Sequence, residues 1–581
     1  MTVLAWAAAL MPMGGSWSYV LIAGVAVLVC WVCRRPVLLI IAVTVLAATS
    51  AGAAWQRIQP GAPQAYEGVA LLASDPEPVQ GGVRVHADIN GDRYVLRAWG
   101  SPAGWLRNRL MGESVSLRAN LRPLGDAPDW LRSQGLSGRG TVTAVVAFDV
   151  GMPHTRLANS IRRTIESGAI VLDRDQHALF AGLVYGDDRQ QSVLVADNFK
   201  AAGLTHLLAV SGQNVAFALA IAGPILRRLD YRRRFVFVVA ILILFATVTR
   251  FEPSVIRASV MTAVAAVGAL VGTEVTSRRV LGLAIVALVV VDPLIVHRVA
   301  FQLSVAASAG ILFWSGRVAR SIPGPRWLAE SIAITSTAQL AVAPLLLWRF
   351  DGLPVASLPA NVLAGPAAGP IMMWGLTAGL VAGLAPVWCG VVIHAPTEIG
   401  LWWIDSVGAA AAKLPLGQLR AVHIGLLLVV GAIGLTAHTT GRRRAAVVGL
   451  ALVLLQPWAA LVVASPGIEP IDGQSTIWQD RHYTVVEIDT STRPADVLAA
   501  VRLAAVETID LVILRQDARA NASLVRWLRT RHDIGAVWAP ATTLGVGEQL
   551  PPTPTTLSFD DFALVITVVE DELATQQVRL Q

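Results

Sequence analysis

Asp197 to Asn214 reads DNFKAAGLTHLLAVSGQN, and this stretch decides what the chain can be. It opens with Asp197, Asn198 and Lys200, as at the approach to a helix, and turns apolar at Leu204. It then carries His206, Ser211, Gln213 and Asn214 into a run apolar enough to cross a bilayer. Polar groups that cannot reach the headgroups are costly in hydrocarbon, so they mark a pathway or a bond between helices. On one continuous helix of about 3.6 residues per turn, His206, Gln213 and Asn214 share a face. Gly203 and Gly212 let the backbone kink or pack closely there. The polar face is either a hydrogen-bonded patch inside a bundle or the lining of a path.

Composition points to a membrane. The chain has 581 residues with 15% charged and a mean hydropathy of +0.59, where a soluble domain carries about 25% charge. Net charge is +7, and the positive side is nearly all arginine, Lys200 and Lys413 being the only lysines. Such a balance suits anionic lipid or nucleic acid. No cleavable signal pattern is expected, because the first apolar run leads through Cys33-Arg34-Arg35-Pro36 into a second. Cys30 and Cys33 form a C-x-x-C inside an apolar run and read as packing residues, with redox or metal binding as the alternative.

Outward from the central stretch, the pattern predicts a polytopic α-helical membrane protein of about twelve spans. An external OB-like β-barrel is inserted, and an external α/β domain forms the C-terminus. The expected divisions are two N-terminal spans (1–60), the barrel (61–152), an amphipathic helical segment on the outer surface (153–200), the main membrane block (201–465) and the α/β domain (466–581). Alternation in Val83–Ile89, Tyr94–Trp99, Ser114–Arg122 and Thr141–Phe148, with an Asn90-Gly91 hairpin turn, predicts short strands of a small barrel. Such barrels often bind single strands through basic grooves and stacking aromatics. Arg84, Arg93, Tyr94, Arg97, Trp99, Arg118 and Arg122 could serve, or they form solvated strand faces. Arg156, Arg162, Arg163 and Arg174 are expected on polar positions of the amphipathic segment.

In the membrane block the spans are expected at 204–226, 235–249, 254–272, 280–296, 301–316 and 331–350. An even number of crossings follows between Asp351 and Val422, then 423–438 and 445–464. The Pro/Gly-rich run Leu353–Ala395 fits two crossings or a broken helix pair, and Trp402-Trp403 head an interfacial helix. Basic loops at Arg227–Arg234, Arg279, Arg326 and Gly441–Arg444 put those connections in the cytoplasm and the barrel outside.

The phrase HLLAVSGQNV, preceded by Asp197, Phe199 and Gly203, resembles the signature of the ComEC-type competence proteins. The likeness continues in order: FAGLVYGDDR (Phe180–Arg189), FEPSVIRASVM (Phe251–Met261), FQLSVAASAGI (Phe301–Ile311), STAQLAVAPLLLWRF and LPANVLAGP. The resemblance implies a channel that carries single-stranded DNA across the cytoplasmic membrane in natural transformation. Its DNA path would involve His206, Ser211, Gln213, Asn214, Arg257, Gln302 and Asn361, with Asp197, Phe199, Gly203 and Gly212 supporting the motif. It implies as partners the strand itself, membrane lipid, a DNA receptor outside, and an ATP-driven translocase or single-strand-binding proteins inside. It also implies a metallo-β-lactamase-like domain after the membrane block. There the metal site would need a tight His-rich cluster, because two shared divalent ions require it. The corresponding LRQDARAN (Leu514–Asn521) offers only Asp517, and His482 and His532 are isolated. The expectation is therefore a degenerate domain with no metal, no cofactor and no nuclease activity, although ligands distant in sequence could still assemble a site.

Other chemistry is weakly encoded. Neither lysine sits in the Gly-Lys-Ser/Thr context of a P-loop. Ser211 lacks the first glycine of a nucleophile elbow, and on a helix His206 would lie about 140° away from it. Arg257 could bind phosphate transiently, snorkel, or pair with Glu252. A secondary transporter of a small solute or lipid, with ion sites at broken helices, is the alternative function.

Overall fold

A computed structural model describes residues 36–58, 63–350 apart from 80 and 126–128, and 352–414. It also describes most of 467–539, the strands between 555 and 579, and isolated residues between 418 and 449. The first of the two expected N-terminal spans, the basic run 441–444, Cys30, Cys33, His482 and Asp517 lie outside the described residues, and the expected spans at 423–438 and 445–464 are described only at isolated residues. Two compact units emerge. The first comprises 1–190, 206–345 and 364–404; the second comprises 191–205, 346–363 and 405–581.

In the first unit, helix α1 (Pro36–Arg57) precedes a β structure. Its strands are β1 (Gln64–Leu72), β2 (Glu77–Val79), β3 (Gly82–Ile89), β4 (Asp92–Trp99), β5 (Ser114–Pro123) and β6 (Leu136–Asp149), with helix α2 (Gly100–Arg107) between β4 and β5. The sheet order is β1-β5-β6-β4-β3-β2. It closes on itself where Leu71 and Leu72 of β1 meet Asp88 and Ala87 of β3. Alternation fills the interior: Val83, Val85, Ala87, Leu96, Val115 and Leu117 are all buried. The hairpin turn is as the sequence predicts, with Asn90 at φ +54° and Gly91 at φ +92°, the left-handed pair that a type I′ turn requires.

Of the segment expected to be amphipathic, residues 153–190 belong to the first unit. Helix α3 (Pro153–Gly168) and helix α4 (Arg174–Tyr185) lean on a long helix, α13 (Ser357–Leu384), whose Gly375, Gly379 and Gly383 recur every four residues. A Cβ on Gly383 would lie 1.8 Å from the Thr164 carbonyl oxygen, and one on Gly379 3.2 Å from Ile165. Glycines at this spacing let apolar helices approach to backbone contact. Arg162 is not on a polar face: it is 3% exposed.

After α5 (Val193–Ala201), the chain runs through α6 (Thr205–Leu208), α7 (Gly212–Leu226), α8 (Tyr231–Val248), α9 (Pro253–Leu270), α10 (Ser277–Val291), α11 (Val299–Gly310) and α12 (Arg326–Phe350), followed by α13 and α14 (Val387–Lys413). Five helices among the described residues are long and apolar enough to cross a bilayer: Pro253–Leu270, Val299–Ala319, Arg326–Arg349, Ser357–Leu384 and Val387–Lys413. Three expectations change. The span at 204–226 is broken before Gly212. The span at 280–296 stops at Val291, where Pro293 opens a single 3-10 turn. Trp402-Trp403 lie within the helix Val387–Lys413 rather than heading a helix of their own, while from Ser357 on the run 353–395 falls in two long helices, with Pro366, Pro370 and Pro396 inside them, in keeping with the first of its two alternatives.

The second unit contains a five-stranded sheet. Its strands are β7 (Gly467–Pro470), β8 (Thr476–Gln479), β9 (Thr484–Ile488), β10 (Thr508–Leu514) and β11 (Asp533–Trp538), ordered β11-β10-β9-β8-β7. β9, β10 and β11 run parallel, connected through α15 (Pro494–Leu503) and α16 (Arg519–Arg531). β9 is buried at every position, as fits a central strand covered on both faces. A three-stranded antiparallel sheet spans Thr555–Arg579. Val193 of α5 packs against the α/β core.

Candidate functional site

The break before α7 gathers the polar groups of the central stretch. α4 ends at Gly186 in the left-handed region, φ +76°, and a Cβ there would meet Val210 at 2.6 Å. Ser211 caps α7, its Oγ accepting from the Gln213 N–H at 3.3 Å. The same Oγ donates to Asn214 Oδ1 at 3.3 Å, and Asn214 Nδ2 donates to the Leu183 carbonyl at 3.2 Å. Asn214 is fully buried. Ser254 Oγ donates to the Val210 carbonyl freed by the break. Gly212 lies against Arg257: a Cβ would stand 3.1 Å from the guanidinium and 3.0 Å from Ala258. Arg257 in turn donates through Nε to Ser304 Oγ at 2.8 Å, joining α9 to α11. Gln213 is exposed at the start of α7.

The shared helical face of His206, Gln213 and Asn214 therefore does not form. His206 belongs to the four-residue α6 and is exposed, while Gln213 and Asn214 begin a different helix. The reason is local: Ser211 is a strong N-cap, and Ser-Gly before an apolar run starts a helix instead of continuing one. Gln302 donates to the Val296 carbonyl at 2.7 Å and bridges a turn of its own segment. In the second unit, Gly203 has φ +67°, and Asn361 Nδ2 donates to the Ser357 carbonyl at 2.7 Å and the Gly203 carbonyl at 3.4 Å. Phe199 is fully buried. Asp197 is ion-paired with Arg531 at 2.6 Å and Arg502 at 3.4 Å, and Asn198 also accepts from Arg531. Arg257 donates to Ser304 and Met261 rather than to Glu252.

The barrel residues expected to meet a strand are mostly engaged elsewhere. Arg84 pairs with Glu77 at 2.5 Å, Arg93 with Asp88 at 2.7 Å and Arg118 with Glu67 at 2.9 Å. Tyr94 is 6% exposed and belongs to the core. Arg97 and Trp99 are exposed.

Sequence reasoning missed a buried ion cluster in the first unit. Arg162 reaches Asp187 at 2.8 Å and Asp75 at 3.0 Å, and donates to the Val248 carbonyl at 2.9 Å. Arg250 grips Asp75 at 2.9 Å, Arg189 chelates Asp187, and the Met111 N–H donates to Asp75 at 2.7 Å. The barrel, α3, the GDDR turn and the α8–α9 connection thus meet at three arginines and two aspartates. Burial pushes the Asp187 carboxyl up, but Arg189 and Arg162 more than offset it and hold it at about 2. Burial likewise opposes ionisation of Asp75, and Arg162, Arg250 and Arg189 hold it below the ordinary carboxylate value. Arg250 and Phe251 both adopt positive φ, +59° and +56°. Such strain in non-glycine residues persists only where surrounding contacts fix it. The one available signal was a lone Asp-Pro in the barrel and an Asp-Asp-Arg after an apolar helix.

A family model described as "Competence protein" matches residues 183–460, which include Leu183, the helix break, Arg257, Gln302 and Asn361. The ComE operon protein 3 of Bacillus subtilis is 28% identical over 255 residues, 44% of this chain and 32% of that protein. The Recombination protein 2 of Haemophilus influenzae is 24% identical over 277 residues, 44% of this chain and 34% of that protein. The uncharacterized protein YcaI of Escherichia coli is 24% identical over 245 residues, 39% of this chain and 31% of that protein. The chain thus spans about a third of the length of these curated relatives. No solved structure matches it.

Proposed function

We propose, on the premise that this chain is a ComEC-type competence protein through its residues 183–460, that it is a multi-pass channel of the cytoplasmic membrane for single-stranded DNA. The observation that carries the proposal is the helix break at Ala209–Ser211. Non-helical backbone in an apolar bundle is tolerated where it is buried in protein or lines an aqueous path. Here one side of the break is bonded by Asn214 and Ser254, and Gln213 is exposed beside it. Ser211, Gln213 and Asn214 are neutral hydrogen-bonding groups, and conduction needs sites that hold weakly. Arg257, behind Gly212, supplies the positive charge near the break, while Gln302, Asn361 and His206 are assigned to the path with less direct geometry.

Each phosphate moving inward opposes an inside-negative potential by roughly 2.3 kcal/mol per 100 mV. With neither lysine in a P-loop context, the work falls to an ATP-driven translocase or to single-strand-binding proteins inside, with a DNA receptor outside. About twelve spans, with the barrel and the C-terminal domain external, remain the proposed arrangement. An OB-like reading of the barrel is supported by the ring β1-β3-β4-β6-β5, by the parallel β4–β6 pair and by the helix between β4 and β5. The C-terminal α/β domain is read as a degenerate metallo-β-lactamase-like relative without catalytic or metal-binding function. Among its described residues no group of three metal-ligand side chains comes together.

A secondary transporter could also use a broken helix. Uptake distinguishes the two. Cells lacking the gene should keep surface-bound labelled DNA but fail to internalise it. The wild-type gene should restore internalisation, and Asn214→Leu, inserted to the same level, should not. Unchanged internalisation without the gene would refute the channel.

A further inference from the structure

Beside the barrel, α2, the end of β6 and α3 carry exposed aromatic rings together with ion-paired arginines. Trp105 and Phe148 are 56% and 48% exposed, their rings 6.4 Å apart and tilted 39°. The Arg109 guanidinium lies over the Phe148 ring at 3.9 Å. Arg109 also faces Glu113 at 3.6 Å, and Glu113 holds Arg163 at 2.5 Å. Next to these residues opens a cleft of about 440 Å³, lined by Glu113, Val150, Arg156, Asn159 and Arg163 among others. That volume lies in the range of small-ligand sites, about 300–1,000 Å³.

One buried acceptor in the cleft lacks a hydrogen-bond donor. Asn159 is 2% exposed; its Nδ2 donates to the Met111 carbonyl at 3.1 Å, while its Oδ1 accepts from nothing. Glu113 is 1% exposed, and both its oxygens face arginines, Oε1 Arg163 at 2.5 Å and Oε2 Arg109 at 3.6 Å. A buried acceptor without a donor costs about 1–3 kcal/mol, so the cleft is built for a ligand that brings a donor. Arg156 and Arg163, each about half exposed at 53% and 50% and paired with Asp149 at 3.8 Å and Glu113 at 2.5 Å, stand at its edge, and a phosphate would share them with those carboxylates.

We infer that this surface, and not the β3–β4 face, is where the barrel holds single-stranded DNA. One base stacks on Trp105 and Phe148. The next turns an amino or imino N–H toward Asn159 Oδ1, and the phosphate between them meets Arg156 and Arg163. A stacking face, cations and a donor-seeking acceptor on neighbouring elements match the alternating chemistry of a nucleotide strand. The inference deepens the DNA-uptake reading and rests on it.

The test uses the full chain in nanodiscs of neutral lipid and a fluorescent oligothymidylate of about 12 nucleotides, within the site sizes known for single-strand binders. Trp105→Ala should weaken binding about 5- to 100-fold, as loss of one stacked base does, and Trp105→Phe should restore most of it. Arg163→Gln should lower the slope of log affinity against log salt by about 0.7, the value for one phosphate contact on a single strand. Arg326→Gln, a fully exposed charge far along the sequence, should change neither. Wild type that binds no oligonucleotide would overturn both this inference and the DNA reading. Wild-type binding that survives in Trp105→Ala and Arg163→Gln would overturn the inference alone. Variants that keep oligonucleotide binding but lose adsorption to anionic phosphatidylglycerol vesicles would reassign the surface to lipid.

Discussion

Replacing Asp75 by Asn should cost the fold about 3 kcal/mol. The carboxylate is 8% exposed, with Arg162 at 3.0 Å and Arg250 at 2.9 Å, and it accepts from the Met111 N–H at 2.7 Å. Asparagine keeps the shape and can still accept from Met111. It removes one of the two charges that balance three guanidiniums. Stripping one partner from a buried pair costs about 3–5 kcal/mol, because the other charge stays buried and unpaired. Arg250 and Arg189 are 13% and 18% exposed, so water relieves part of this and the lower end applies. In detergent, the apparent unfolding temperature should fall by about 3–5 °C, and the barrel should become more sensitive to protease. Arg250→Met in the Asp75→Asn background should cost less than the two changes summed, with a coupling of about 1–3 kcal/mol. A single Asp75→Asn variant within about 0.5 kcal/mol of wild type, or strict additivity in the double variant, would refute the view that the cluster is a coupled unit.

Three further outcomes follow from the same geometry. The folded-state pKa of Asp187, about 2, lies below its unfolded value of about 3.9. Its contribution of roughly 2–3 kcal/mol is therefore present above pH ~4 and lost as pH falls through ~2; acid titration of Asp187→Asn should lack that loss. Asp197→Ala leaves Arg531 and Arg502, 8% and 16% exposed, without their carboxylate. Limited proteolysis should then release C-terminal fragments faster than from wild type, and the double variant with Arg531→Met should be partly rescued. Gly383→Leu cannot be accommodated, because even a Cβ meets the Thr164 carbonyl at 1.8 Å, whereas Gly365, with open space around it, should accept alanine with unchanged yield of folded protein.

Elements set by local rules were legible in the sequence. The strands, the Asn90-Gly91 turn and the α/β order of the C-terminal domain follow from periodicity and turn chemistry within a few residues. The helix break at the central stretch was legible too, in Ser211 as an N-cap, but an uninterrupted apolar count outweighed it. What failed depends on partners distant in the chain. Arg162 sits at a polar-looking helical position, and only folding brings Asp75, 87 positions earlier, beside it. Arg84, Arg93 and Arg118 read as a basic surface because strand pairing, which sets Glu77, Asp88 and Glu67 against them, is not written locally. The glycines of α13 were visible at their four-residue spacing, yet which helix they receive is decided by tertiary packing. Asp197 likewise opens the central stretch, but nothing near it announces Arg502 and Arg531.

The most direct test of the channel account asks whether the moving strand passes the helix break. In a cysteine-free background, Gln213→Cys would place a thiol at the break, and Ile225→Cys would place one on an exposed flank of the same helix, 63% accessible. Cells taking up DNA that carries a thiol-reactive group on its backbone should form the adduct at Gln213→Cys and not at Ile225→Cys. Equal labelling at both positions, or none at either while nuclease-protected DNA accumulates, would contradict it.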